Sequence, residues 1–198
     1  MSSDGATGDT KARIMDAVRV ALAKHGYADL TTKKVAAEAD VSEAGIFYHY
    51  DSKDELVAAF VEWCAEGTST RFDDLPDDPT DRLYAACDVL LVAEDDPQAA
   101  GVSVAFMELL SHAPYDETLQ GPLRRYEEFV LGELADVVRA GVESGAFRDV
   151  DPEATAAFLL AACDGVTGFG LALDMTEANA HVRERLRAYL DTVVVADP

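Results

Sequence analysis

Apolar residues recur at helical spacing along almost the whole chain. No stretch alternates apolar with polar residues for more than four positions. That pattern points to an all-α fold. Ile14, Ala17, Val18, Ala21 and Leu22 form one stripe, opened by Thr10 as a cap and closed by Gly26 just past its end. Residues 1–9 are small and polar and are expected to stay outside it. Thr31 or Thr32 caps a short second helix that carries Val35, Ala36 and Ala39. Asp40-Val41 makes a tight turn, because aspartate tolerates left-handed backbone angles. Ser42 caps a third helix reaching about Tyr50, and Ser52 with Glu55 is a capping box that opens a fourth. Residues 72–79, with two prolines and four aspartates, read as a loop. Further helices follow over 82–93, around 102–110, over 117–144 and 151–173, and from Thr176 onward, with an interruption at Asp95-Asp96-Pro97. About nine helices are expected.

Composition narrows the function. The chain has 198 residues and is 49% hydrophobic, too apolar for a disordered acidic tail, although 38 acidic residues against 16 basic ones give a net charge of −22. No uninterrupted apolar run approaches the roughly 20 residues of a membrane span. The first residues lack the basic-then-apolar pattern of a signal peptide, so a cytoplasmic protein without membrane contact is expected. Cys64, Cys87 and Cys163 are far apart and read as free buried thiols in a reducing compartment. The four histidines show no ligand spacing, so neither a metal nor a cofactor is expected. A Gly-rich phosphate loop, GxSxG and HExxH are all absent, which leaves an enzyme without support.

Charge is distributed unevenly. Residues 1–56 hold seven basic and ten acidic side chains, whereas residues 57–198 hold nine and 28. All five lysines, Lys11, Lys24, Lys33, Lys34 and Lys53, lie in the first segment, and every later cation is arginine. Such loss of lysine and gain of carboxylate suits a cytoplasm at very high salt, where the Debye length is only about 3 Å at 1 M. The N-terminal segment is the exception that kept its lysines.

Two short helices joined by a tight turn over 31–50 have the spacing of a helix-turn-helix, in which the second helix enters the major groove. Small Ala36 faces the partner helix, and Ile46 anchors the second. The runs Thr10-Lys-Ala-Arg-Ile-Met-Asp-Ala, Lys24-His-Gly-Tyr-Ala-Asp-Leu-Thr-Thr-Lys-Lys-Val-Ala-Ala-Glu-Ala-Asp-Val-Ser42 and Phe47-Tyr-His-Tyr-Asp-Ser-Lys-Asp-Glu-Leu56 closely resemble the DNA-binding domain of the TetR family. Two positions depart from that pattern: Asp40 stands where the family usually has glycine in the turn, and glycine falls at Gly45, one position later than is common. The resemblance implies that Thr31, Thr32 and Lys33 or Lys34 meet phosphate at a helix start. It also implies that Ser42, Glu43, Ala44 and Gly45 lie near base edges, that Tyr48 and His49 lie along the sugar-phosphate backbone, and that Lys53 reaches another phosphate. Phe47 and Tyr50 are expected in the core. His49 either packs or touches DNA. Glu43 faces a cytosine amino group or, the favoured alternative, solvent.

Residues from about Phe106 onward, especially Gly145-Ala-Phe-Arg-Asp-Val-Asp-Pro-Glu-Ala-Thr-Ala and Leu159-Leu-Ala-Ala-Cys-Asp-Gly165, look like the C-terminal domain of the betaine-regulator branch of that family. The resemblance implies a helix-turn-helix domain over 8–68, with its motif at 31–50, and a helical ligand-binding and dimerisation domain over 69–198, in a homodimeric repressor released from a palindromic DNA operator by a small-molecule inducer. The alternative is a dimeric small-molecule-binding protein that no longer binds DNA. Ala157, Ala161, Gly165, Gly168 and Ala172 step along one helix face that a partner helix can approach closely. With Leu186, Leu190 and Val193 they suggest a four-helix interface across a two-fold axis. Trp63, Phe106, Met107, Leu110, Tyr126, Phe129, Phe158 and Phe169 are the candidates for an apolar inducer cavity.

Overall fold

In the computed structural model, residues 3–91 and 97–196 are described, with side chains over 10–91 and 99–196. Among the described residues the fold is all-α, with nine α-helices and no strand. The helices are α1 (Ser3–His25), α2 (Thr32–Glu38), α3 (Glu43–Phe47), α4 (Lys53–Asp73), α5 (Pro79–Leu90), α6 (Pro97–His112), α7 (Glu117–Ser144), α8 (Pro152–Leu173) and α9 (Thr176–Tyr189). A 3₁₀ turn over Ala113–Tyr115 precedes α7, and a π-helical turn over Leu190–Val194 follows α9. The break expected at Asp95-Asp96 lies outside the described residues.

Local chemistry explains most boundaries. Thr31, Ser42, Asp78 and Asp151 each accept a backbone N–H from the first turn they cap. Glu55 donates its backbone N–H to Ser52 Oγ at 3.1 Å, and its carboxylate accepts from Asp51 N at 2.6 Å, closing the box that opens α4. Gly26 ends α1 at φ +71, a left-handed conformation that costs other residues more than glycine. Several boundaries differ from expectation. α5 runs over Pro79–Leu90 rather than 82–93, because Asp78 caps it and Pro79 starts its first turn. α1 opens at Ser3 rather than at Thr10, since no proline in 3–9 interrupts the helical register. α3 stops at Phe47, three residues early. α4 runs on to Asp73, because the first proline that can stop it is Pro76.

The chain forms two compact units, Met1–Ala65 with Gly101–Tyr126, and Glu66–Ala100 with Glu127–Pro198. In the first, Ile14, Val18 and Leu22 of α1 share a core with Leu56 and Phe60 of α4 and with Leu109, Leu119 and Leu123. Each such side chain contributes about 1.5–3 kcal/mol by leaving water. Val35 of α2 and Ile46 of α3 are fully buried in the same core, which fixes the two short helices.

In the second unit, Leu83 of α5, Val130, Leu134 and Val138 of α7, Leu159 and Val166 of α8, and Leu186 of α9 are buried. A Cβ on Gly141 would lie 2.1 Å from the Phe147 ring, so only glycine lets that ring close over α7. Arg148 N donates to Val194 O at 2.8 Å and Ala196 N to Ala146 O at 2.9 Å, tying the chain after α9 to the loop before α8.

α8 has two faces. Leu159, Cys163 and Val166 point inward, while Ala157, Phe158, Ala161 and Phe169 are exposed. By length and composition this helix is apolar enough to cross a membrane. No uninterrupted apolar run reveals it, because Thr155, Asp164 and Thr167 break the run without lowering the average much.

Candidate nucleic-acid interface

Ala39 ends α2, Asp40 turns the backbone at φ +52, and Ser42 starts α3. Val41 N donates to Ala36 O at 3.0 Å, which closes the turn. Aspartate does here what glycine does more cheaply. Arg13 of α1 donates to Ala39 O at 2.6 Å and fastens the end of α2 from the other side.

Several expected phosphate contacts have partners within the protein. Thr31 Oγ1 accepts Lys34 N at 3.2 Å. Thr32 Oγ1 donates to Glu43 Oε1 at 2.7 Å, so the Glu43 carboxylate is exposed but tied to α2. Lys34 Nζ donates to Asp29 O at 2.7 Å. Lys53 Nζ donates to Tyr27 O at 3.0 Å and lies 4.0 Å from the Tyr27 ring centroid, a cation–π contact. Lys33 is exposed.

On α3, Ala44 is exposed, as are Phe47 at 48% and Tyr48 at 83%. Tyr50 is buried as expected, but Phe47 is not: Ile46 alone fills the space under this short helix, and Phe47 falls on the outer side. His49 is half-buried, with its ring edge-on to Tyr48 at 5.0 Å. Ser42 Oγ accepts Gly45 N at 3.0 Å, and a Cβ on Gly45 would touch Ser42 and Val41 at ordinary distance. That position faces back to the turn rather than outward.

A contact node at Tyr27 went unnoticed in the sequence. Tyr27 N donates to Glu108 Oε1 of α6 at 3.0 Å, and its hydroxyl donates to Asp116 Oδ2 at 2.8 Å. Its ring lies 5.1 Å from that of His112, which pairs with Glu108 at 3.4 Å. Burial, then the Asp116 hydrogen bond, pushes the Tyr27 hydroxyl well above its ordinary range. Hydrogen bonds from Thr118 and then Tyr27 hold Asp116 below its own. The loop between α1 and α2 is thereby pinned to residues 108–116, all within the first unit. A lone tyrosine after a helix-ending glycine carries no periodic signal, so only tertiary structure reveals it.

None of the residues expected to line an inducer cavity lines the one that opens between α5 and α9 in the second unit. That cavity, of about 370 Å³, lies between α5 and α9 and is lined by Tyr84, Cys87, Asp88, Leu91, Arg183 and Leu190, among others. In the first unit Trp63 stacks on Phe60 at 6.0 Å and Phe106 packs on Tyr126 at 4.4 Å, while Met107 is half-buried and Leu110 is 41% exposed. In the second, Phe129 is half-buried, and Phe158 and Phe169 lie half-exposed on the outer face of α8. Of the residues expected at a dimer interface, Ala157, Ala161, Ala172 and Val193 are exposed and Gly165 and Gly168 half-buried. Leu186 and Leu190 are instead buried in the protomer's own core, because their side of the helix and of the turn after it faces α5.

Two short capped helices, the four-residue turn 39–42 between them and an outward second helix define a helix-turn-helix head, here joined to a helical C-terminal domain. Residues 14–60 match the family model for bacterial regulatory proteins of the tetR family. Residues 79–195 match that for the C-terminal part of BetI-type transcriptional repressors. The chain belongs to the TetR family and is a DNA-binding transcription regulator. It is similar to the crystal structure of a TetR transcription regulator from Haloarcula marismortui, with 36% identity, TM-score 0.83, and coverage of 94% of this chain and 99% of that one. A putative transcriptional regulator from Saccharomonospora viridis, solved in complex with choline, shares the fold at 19% identity and TM-score 0.81, covering 96% and 100%. An HTH-type transcriptional regulator of Bacillus subtilis is 25% identical over 94% of this chain and 93% of its own length.

Proposed function

We propose that the chain is a homodimeric repressor that reads a palindromic operator through residues 31–50 and is released by a small-molecule inducer. The observation that carries the DNA-reading half is the presentation of α3. Its inner side is anchored by Ile46 and its start is capped by Ser42, so Ala44, Phe47 and Tyr48 face solvent without supporting the fold. In a dimer, two such heads reach successive major grooves about 34–36 Å apart. The open small-residue face of α8, with Phe158 and Phe169 beside it, is the surface we assign to the second copy, with Val193 at its edge. Leu186 and Leu190 drop out of that assignment. The protein works in the cytoplasm, and its charge of −22 suits strong brine.

For the inducer, a cation is the favoured class. Glu127 of α7 has no cationic partner among the described residues. Burial and the neighbouring Asp164 of α8 push its carboxyl up to about 7. An organic cation such as choline would relieve both costs. The aromatic residues named above are not required for this seat.

The test is a mobility shift with the DNA upstream of the protein's own gene, at molar KCl, alongside light scattering. A retarded band from a dimer, weakened by choline, is expected. A dimer that binds choline but retards no DNA supports the alternative, a binding protein that has lost its operator.

A further inference from the structure

We propose that the cavity of about 370 Å³ between α5 and α9 binds an amphipathic carboxylate, a short acyl chain with an anionic head. The floor of the cavity is apolar. Cys87 of α5 with Leu91 at its end, and Leu186 of α9 with Leu190 at its end, line it and are buried. Residues four apart share one helix face, so each pair is an apolar strip along its helix. At roughly 30 Å³ per water-sized group the cavity takes about a dozen of them, room for a chain of about eight carbons and its head.

Charge above this floor is ordered by depth. Arg183 and Arg187 stand one turn apart on the α9 side of the cavity. They are two of only nine basic residues after position 56, where 28 residues are acidic. Arg183 is half-buried. Arg187 lays its guanidinium over the Tyr84 ring, 5.8 Å from the centroid, and no carboxylate among the described residues pairs with it. Asp88 and Glu184 also border the cavity, and both are exposed. Asp191 is already engaged, since it accepts the Tyr84 hydroxyl.

Dissolved salt screens the exposed Asp88 and Glu184 more than it screens half-buried Arg183. An anion therefore gains more from the arginines than it loses to the carboxylates, and a cation meets the reverse. A carboxylate also matches the guanidinium fork, which can donate two parallel hydrogen bonds to it. Charge alone would not select a ligand in brine, where chloride competes for the same head. The acyl chain supplies what chloride lacks, because only it covers the apolar floor. Neither Glu127 nor Asp164 lines this cavity, so the inference stands whether or not choline is the inducer.

Titration calorimetry of the full chain in molar KCl tests it, with octanoate as the probe. One octanoate per chain should bind, about tenfold or more tighter than 1-octanol and octyltrimethylammonium, which pair a chain of the same length with a neutral or a cationic head. Arg187→Gln changes an exposed side chain and should weaken octanoate by about tenfold while leaving octanol unchanged. Asp88→Asn should leave octanoate as tight or tighter, a direction that a merely structural role for this wall does not produce. If either variant misfolds, the ranking of the three heads on the wild-type chain decides. Equal binding of octanoate and octanol, a preference for octyltrimethylammonium, or no saturable octanoate binding would overturn the proposal.

Discussion

α3 and α8 treat their exposed surfaces in opposite ways. α3 has five residues and buries only Ile46. A helix that short has no stability of its own, so caps and one anchor hold it while the rest of its surface stays open to a partner. α8 has 22 residues and buries six side chains on one face, yet leaves Phe158, Phe169, Leu171 and Leu173 exposed. Exposed aromatic and aliphatic groups so close together mark a surface that another molecule covers. The open surface of the head, with Ala44, Phe47 and Tyr48, is the one we assign to DNA. The open surface of α8 is the one we assign to a second copy.

The most damaging test strikes the anchor of α3. Ile46→Ala should cost about 2–5 kcal/mol through lost burial and the cavity left behind. Denaturant unfolding of the first unit should shift accordingly and operator binding should disappear, while self-association in light scattering stays unchanged. An unshifted unfolding midpoint would mean that α3 is held some other way.

Gly165→Leu attacks the other side of the comparison. A Cβ there meets nothing within 4 Å in the protomer, and leucine is the better helix former by up to about 1 kcal/mol. A single protomer should therefore tolerate the change. Only a second copy packed on α8 would object, with overpacking weakening the dimer by about 1–3 kcal/mol. Sedimentation at several concentrations measures it, and a dimer constant equal to wild type places the interface away from Gly165.

The contrast between these two helices was legible in the sequence to different depths. Caps and breakers act locally, so Thr31, Asp40, Ser42 and Asp151 announce the turns they make, whereas the cap at Asp78 is hidden among the other aspartates and prolines of 72–79. The small-residue steps of α8 are periodic and equally visible. Side chains whose state depends on distant segments were not. Phe47 looked like core until α3 proved too short to bury it. Lys34 and Lys53 looked free for phosphate, but their partners Asp29 O and Tyr27 are set by tertiary geometry. Leu186 and Leu190 share a helical stripe with positions that could face either α5 or a second protomer, and periodicity alone does not choose between them.

The Glu127–Asp164 pair, with Asp164 exposed on the outer face of α8 and Glu127 half-buried, gives a smaller effect with a defined sign. Burial raises the folded-state carboxyl of Glu127 from about 4.5 to about 7. Its neutral form is favoured on folding, so this stability is fully present below about pH 4.5 and is lost as pH rises through about 7. The full linkage figure is about 3 kcal/mol, and part exposure to water reduces it to roughly 1–2. Glu127→Gln should thus raise thermal stability at pH 8 by that amount and leave it nearly unchanged at pH 4. Equal gains at both pH values would show that the charge is not the cause. The same variant should lose choline binding if the carboxylate seats the cation.

The smallest effect concerns the lysines of the head. Neutralising a phosphate releases condensed counterions, and the gain fades as salt rises. A protein adapted to brine would keep few such contacts, and Lys33 is the best placed to supply one, since it is exposed and has no partner among the described residues. Lys33→Ala should weaken binding to all DNA sequences alike and reduce the salt slope by about one, with no change in thermal stability. Lys53→Ala differs, because Lys53 also holds the Tyr27 carbonyl and ring. It should cost about 0.5–1 kcal/mol of stability as well, and a reduced salt slope there would mean that the ammonium leaves Tyr27 for phosphate when DNA binds. If Lys53→Ala lowers stability alone and Lys33→Ala lowers the slope alone, the two lysines divide the work: one braces the loop behind the head, the other touches DNA. Unchanged slopes in both variants, measured between moderate and molar KCl, would leave the head relying on α3 and backbone N–H groups for its grip.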